Sequence, residues 1–147
     1  MKVLRTPDKQ FQDLIDWPYE PHFTEVPDGD GGTLRIHHVE SGPSDAPTIL
    51  LLHGEPTWGF LYRNIMSGLA DAGIRSLVPD QVGFGKSDKP STQVDYTYER
   101  HVTWMQNWLD ANAPEEIFFF GQDWGGLIGL RLVCLLYTSP SPRDRTR

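Results

Sequence analysis

Apolar and polar positions are grouped in blocks along the chain, and the blocks predict strands and helices in turn. Two short β-rich runs, residues 23–26 and 34–40, flank the turn-forming segment PDGDGG (27–32) and predict an antiparallel hairpin. Three unbroken apolar runs follow at residues 48–52, 76–79 and 117–120. Unbroken runs of this length are typical of strands that are buried on both faces of a parallel sheet.

Apolar residues at helical spacing follow each of these three runs. Residues 61–72 place Leu61, Ile65 and Leu69 on one stripe, which we expect to face the core, and Gly73 follows as a helix stop. Residues 98–111 and 124–136 predict two further helices, and Cys134 is expected at a buried position of the last one. A hairpin followed by three strand–helix pairs predicts an α/β fold with a mostly parallel sheet and helices on both faces.

The composition changes after the last predicted helix. The segment YTSPSPRDRTR (137–147) has two Ser-Pro steps and three arginines against one aspartate, and it resembles translated sequencing-adapter sequence. We therefore expect residues 1–136 to form part of a core domain and residues 137–147 to be a non-native or disordered tail.

Length, charge and cysteine content narrow the class of protein. A chain of 147 residues is long enough for one domain with a hydrophobic core. A net charge of −7 argues against a nucleic-acid-binding surface, since phosphates are neutralised by clustered Lys and Arg. A single cysteine gives neither an internal disulfide nor a metal-binding spacing. With no signal peptide and no apolar run long enough to cross a membrane, the expected location is the cytoplasm.

The segment FFFGQDWGG (118–126) contains the candidate catalytic residue. It reads as a strand, a tight turn and a helix start, with Asp123 at the tip between Gly121 and Gly125, the form of a nucleophile elbow. A carboxylate can displace a leaving group at saturated carbon and form an ester, which water activated by a general base then hydrolyses. That second step needs two N–H donors, predicted to be the backbone N–H groups of Glu55 and Trp124.

Simpler interpretations of these and nearby residues also exist. Asp123 could be a helix N-cap, and Trp124 a core aromatic residue at a helix start. His53 is expected to be a structural hydrogen-bonding residue, and GFGKSDKP (83–90) a structural turn that lacks P-loop spacing. Trp58 and Phe60 fit a pocket lining and core packing equally well.

Three segments together resemble the haloalkane dehalogenases of the α/β-hydrolase superfamily: HGEPTWGFLYR (53–63), DQVGFGKSDKP (80–90) and GQDWGGLIGLRL (121–132). The resemblance covers about residues 1–135. It implies that Asp123 is the nucleophile and that Trp124 donates its indole N–H to the halide. Glu55 in the HGEP form implies the first subfamily, whose members pair this tryptophan with a second one in a cap domain.

The reaction implied by the resemblance is hydrolysis of a haloalkane to a primary alcohol and halide through an Asp123 alkyl ester. The implied partners are a halogenated alkane and water, with no cofactor, no metal, no nucleic acid and no membrane, and the complete form is expected to be a monomer. The base histidine, its acid partner and the cap cannot be placed in this sequence. The chain is therefore expected to be an N-terminal half that does not turn over substrate by itself.

Two alternatives remain open at this point. The first is an epoxide hydrolase of the same fold, although those enzymes usually carry His before the nucleophile and an aromatic residue in the HGxP loop, where this chain has Gln122 and Glu55. The second is a non-catalytic α/β-hydrolase-like binding protein.

Overall fold

The computed structural model describes residues 1–138, and a mixed five-stranded sheet forms its centre. The strands are β1 (Val3–Leu4), β2 (His22–Pro27), β3 (Thr33–Ser41), β4 (Thr48–Leu52), β5 (Arg75–Pro79), β6 (Lys89–Pro90) and β7 (Ile117–Gly121). The spatial order in the main sheet is β2-β3-β5-β4-β7, while β1 and β6 form a separate antiparallel pair. The predicted hairpin is confirmed by the antiparallel pairing of β2 with β3, and β4 lies parallel to both β5 and β7.

Helices cover both faces of the sheet, as the pattern predicts. The three α-helices are α1 (Arg63–Asp71), α2 (Tyr98–Asn112) and α3 (Trp124–Thr138), and 3₁₀ turns occupy Asp8–Phe11, Gly59–Tyr62 and Gln93–Asp95. Side chains alternate along β4, so that Leu50 and Leu52 pack in one core cluster with residues of α2 and α3. Leu51 points the other way, into a second cluster that includes Met66 of α1.

The predicted buried stripe of the first helix is wrong at two of its three residues, since only Leu69 packs against the core. Leu61 is 37% exposed and Ile65 is 45% exposed, whereas Tyr62 and Met66 are buried. The helical segment begins as the 3₁₀ turn Gly59–Tyr62, and α1 starts only at Arg63. Tyr62 and Met66 each follow a residue of the predicted stripe by one position, which is about 100° around a helix, so the packed face lies beside the predicted one. Gly73 does follow the helix end, with a φ of +72°.

Three apolar positions near the carboxyl end of the described chain are also less buried than predicted. On β7, which lies at the edge of the sheet within the described residues, Phe118 is 66% exposed and Phe120 is half exposed. Cys134 lies on α3 as predicted, but it is exposed instead of buried. An apolar run predicts a strand or helix, but its burial depends on what packs against each face.

The predicted tail is only partly described. α3 continues to Thr138, two residues beyond the predicted end of the core domain at residue 136. Residues 139–147 lie outside the described residues, so the division between core and tail stays a prediction.

Candidate active site

Asp123 lies at the tip of a sharp turn between the last residue of β7 and the first residue of α3. Its φ of +52° is in the left-handed region, which non-glycine residues rarely adopt. Gly125 makes the turn possible, because a Cβ there would collide with the carbonyl oxygens of Leu52 and His53 on the neighbouring strand and loop. The predicted elbow geometry is therefore present in the structure.

The Asp123 carboxylate is exposed and is held by backbone donors. The N–H of Glu55 donates to Asp123 Oδ2 at 3.0 Å. The backbone N–H groups of Trp124 and then Glu55 lower the pKa of Asp123 below its usual value, and burial opposes them only weakly. The carboxylate is thus ionised at neutral pH, and the two donors predicted from the sequence both point at it.

The loop that carries Glu55 approaches the elbow closely. A Cβ at Gly54 would lie 2.5 Å from the Cβ of Asp123, so a glycine is required where the loop passes the carboxylate. The three predicted site residues, Asp123, Trp124 and Glu55, are therefore brought together from β7, α3 and the loop after β4.

A cleft of about 570 Å³ opens beside the elbow. Its walls come from the loops after β4 and β5 and from the starts of α2 and α3; they are Gly54, Glu55, Gln81, Gly83, Phe84, Gln93, Tyr96, Thr97, Tyr98, His101, Trp124 and Ile128. Trp124 is one of these lining residues and is 44% exposed, so its indole can be reached from the cleft. The cleft is thus lined by a side chain that carries an N–H donor.

His53 holds the HGEP loop and has the structural role expected from the sequence. Its Nε2 accepts the Gln81 N–H at 2.9 Å, so the proton is on Nδ1, which donates to the carbonyl oxygen of Gly54 at 3.0 Å. Burial lowers the pKa of His53, which keeps the ring neutral in this bridging role. The same residue is therefore not available as a general base.

Asp80 is a buried carboxylate that the sequence did not single out. Its Oδ1 accepts the Gly59 N–H at 2.8 Å, and its Oδ2 accepts the Lys86 N–H at 2.9 Å and contacts His37 Nδ1 at 2.8 Å. It therefore joins the HGEPTW loop to the GFGKSDKP turn, which is structural as predicted, although Gly83 and Phe84 of that turn also line the cleft. The only signal in the sequence that could have indicated this role is the position of Asp80 directly after the apolar run of residues 76–79.

The aromatic residues near the site divide into two groups. Trp58 and Phe60, for which the sequence left two roles open, stack on each other with ring centroids 5.5 Å apart and contact Trp17, outside the cleft lining. Tyr96 and Tyr98 do line the cleft, and sequence reasoning missed both. Their signal is the YTY triplet (96–98), which leads into the second helix and ends on its first residue.

Residues 1–138 have neither a metal-binding cluster of side chains nor a helix that could span a membrane. This part of the chain contains no group of three or more His, Cys, Asp or Glu side chains placed to hold a metal ion. None of its helices has the length and apolar character needed to cross a membrane.

Two curated proteins with similar sequences are haloalkane dehalogenases. The chain is 53% identical to the haloalkane dehalogenase of Psychrobacter cryohalolentis over 133 residues, which is 90% of this chain and 44% of that protein. It is 51% identical to the haloalkane dehalogenase of Mycolicibacterium paratuberculosis, again over 90% of this chain and 44% of the relative. The chain therefore spans less than half the length of these curated relatives.

A haloalkane dehalogenase is also found among the similar solved structures. The haloalkane dehalogenase DpaA of Paraglaciecola agarilytica NO2, described as tetrameric, matches with a TM-score of 0.85 and 36% identity, over 93% of this chain and 46% of that one. The epoxide hydrolase VrEH1 of Vigna radiata matches less well, with a TM-score of 0.68 and 29% identity, over 80% of this chain and 35% of that one. Because the profile of the family described as alpha/beta hydrolase fold also matches residues 47–142, which include the elbow, the chain belongs to the α/β hydrolase fold family.

Proposed function

We propose that this protein hydrolyses haloalkanes, with Asp123 as the nucleophile and Trp124 as a halide-binding residue. The observation that carries the proposal is an exposed, ionised carboxylate at a strained elbow, held by the Glu55 N–H and adjacent to an indole N–H that lines a cleft. The similarity to haloalkane dehalogenases supports the same reaction.

The first chemical step uses Asp123 and Trp124. A carboxylate oxygen of Asp123 attacks the carbon that bears the halogen, so a C–O bond forms while the carbon–halogen bond breaks and the halide leaves with the bonding electrons. The lowered pKa of Asp123 keeps this oxygen unprotonated. The indole N–H of Trp124 donates to the departing halide and has no acceptor atom to compete with it.

The second step hydrolyses the alkyl ester of Asp123. A water molecule adds to the ester carbonyl carbon, and the resulting oxyanion accepts the N–H groups of Glu55 and Trp124. A general base takes one proton from the water as it adds. When the intermediate collapses, the C–O bond to the alkyl group's oxygen breaks, this oxygen takes up the second proton of the added water and leaves as the alcohol, and the carboxylate is restored. Within residues 1–138 no hydrogen bond joins a histidine to Asp123, since His53 bonds to Gly54 and Gln81, and His37 bonds to Asp80.

Because no histidine within residues 1–138 is hydrogen-bonded to Asp123, we expect the 147-residue chain to perform the first step without turnover. The test is to incubate the chain with a short bromoalkane and to measure both released bromide and the intact protein mass. We expect at most one bromide per chain and a mass gain of one alkyl group. Asp123→Asn should show neither change, while the exposed control Asp45→Asn should behave like the parent.

Two results would contradict the proposal. Bromide release that is unaffected by Asp123→Asn would remove Asp123 from the nucleophile position. An alkyl adduct that forms from an epoxide but not from the bromoalkane would support the epoxide hydrolase alternative. At present that alternative is less favoured, because the epoxide hydrolase structure is the more distant match.

Two further expectations stay predictions. The monomer expected from the sequence is not supported by the DpaA relative, which is described as a tetramer, and the oligomeric state of this protein can be measured by light scattering. The cytoplasmic location is likewise a prediction.

A further inference from the structure

Tyr98 connects the start of α2 to the first turn of α3. Its hydroxyl donates to the carbonyl oxygen of Leu127 at 3.0 Å. Its ring centroid lies 6.4 Å from that of Trp124, at an angle of 45°, within the range of favourable aromatic pairs. Leu127 comes three residues after Trp124, one helical turn along α3. A single side chain therefore contacts both the indole and the backbone behind it.

The position of Tyr98 is itself well defined. Tyr98 is the first residue of α2, directly after the N-cap Thr97, whose side-chain oxygen accepts the Arg100 N–H at 3.2 Å. The capped helix end fixes the backbone of Tyr98, and the bond to Leu127 fixes the far end of its side chain. The ring between these two points is consequently held at one place on the cleft wall.

The Trp124 side chain is partly exposed at the cleft wall. The indole is 44% exposed, and it is followed by Gly125 and Gly126, which have no side chains to pack against it. Within the described residues, the ring pair found for this indole is the one with Tyr98. A hydrogen-bond donor stabilises a developing anion well only when it is already oriented, since otherwise binding must first restrict its rotation.

We propose that Tyr98 is a positioning residue that orients the Trp124 indole N–H toward the cleft for anion binding. That the bound anion is a halide rests on the proposed function, whereas the contact by which Tyr98 orients the indole does not depend on it. Tyr98→Phe removes the hydrogen bond and keeps the ring, so we expect iodide binding to weaken about three- to tenfold, the range for one lost neutral hydrogen bond. Tyr98→Leu also removes the aromatic ring and should weaken iodide binding further.

Tyr96 provides a matched control in the same cleft. Its hydroxyl donates to the carbonyl oxygen of Pro90 at 2.8 Å, and its ring lies beside His101 instead of Trp124. Tyr96→Phe therefore deletes an equivalent hydrogen bond without touching α3. We expect it to leave the mobility of the Trp124 indole unchanged.

The experiment is ¹⁵N NMR of the tryptophan indole groups in the 147-residue chain, with the Trp124 signal identified by its loss in Trp124→Phe. Indole relaxation should show increased mobility at Trp124 in Tyr98→Leu and, to a smaller degree, in Tyr98→Phe. Unchanged Trp124 mobility in both Tyr98 variants would overturn the proposal. If Tyr98→Leu does not fold, Tyr98→Phe against Tyr96→Phe decides the question.

Titration with sodium iodide in the same samples separates the two inferences. If iodide shifts the Trp124 indole signal, and if Tyr98→Phe needs higher iodide concentrations than the parent chain for the same shift, then both halide binding by Trp124 and its orientation by Tyr98 are supported. If iodide does not shift this signal in the parent chain, the halide-binding role of Trp124 is wrong, and the mobility comparison still decides the role of Tyr98.

Discussion

Replacing either of two adjacent glycines of α3 by alanine should change the stability in opposite directions. A Cβ at Gly125 would overlap the carbonyl oxygens of Leu52 and His53, which are backbone atoms and cannot rotate away. Carbon and oxygen ordinarily approach no closer than about 3.3 Å, so α3 would have to move on the order of 1 Å. Overpacking of a close contact costs about 1–3 kcal/mol of unfolding free energy, and we expect about 3 kcal/mol for Gly125→Ala because its neighbours are backbone atoms.

Gly126→Ala is the matched control. The nearest atom to a Cβ at Gly126 is the carbonyl oxygen of Gly121 at 3.8 Å, an ordinary contact. Alanine has a higher helix propensity than glycine and restricts the unfolded chain, so this variant should gain about 0.5–1 kcal/mol. The two neighbouring substitutions should therefore differ by about 3–4 kcal/mol in unfolding free energy and have opposite signs.

Urea unfolding followed by far-ultraviolet circular dichroism measures this difference through the transition midpoints, provided the slope with urea is the same for both variants. Equal midpoints for Gly125→Ala and Gly126→Ala would refute the reasoning, because they would mean that α3 does not pass as close to β4 as described.

The remaining predictions concern the core and its titrating groups. Met66→Ala should lower the unfolding free energy by about 3 kcal/mol and Ile65→Ala by less than about 1 kcal/mol, because only Met66 is buried; equal losses in urea unfolding would contradict the register of α1. Asp80→Asn should cost about 3 kcal/mol in the same assay, since three buried donors lose a charged acceptor, and an unchanged midpoint would show that they find other partners. Burial lowers the pKa of His38 from 6.5 to about 4, so the unfolded state takes up the proton first as the pH falls through this window. This histidine should therefore cost about 2 kcal/mol of stability between pH 7 and pH 5, and His38→Gln, compared at both pH values, should lose that part of the pH dependence.

Much of the fold and the centre of the site could be predicted from local sequence. The apolar run of residues 48–52 predicted β4 with the right bounds, and PDGDGG predicted the hairpin. The spacing of Gly121, Asp123 and Gly125 predicted the elbow. These features depend on backbone conformation and on the alternation of side chains, both of which neighbouring residues set.

Other features needed atoms that are distant in sequence. Asp80 accepts from Gly59 and His37, residues 21 and 43 positions away, and no local pattern indicates that these groups meet. Tyr98 lies 26 positions from Trp124, and its contact with the indole exists only because α2 and α3 pack on the same face of the sheet.

The sequence by itself therefore determined the order of strands and helices, the elbow aspartate and the glycines that allow it, because each is a matter of local conformation. Only the tertiary structure decided which apolar faces are covered, as the exposed Phe118 and Cys134 show, since burial depends on the elements that pack against a face. It also decided that the Glu55 N–H reaches the Asp123 carboxylate, because β4 and β7 lie side by side in the sheet and their carboxyl ends meet at one edge.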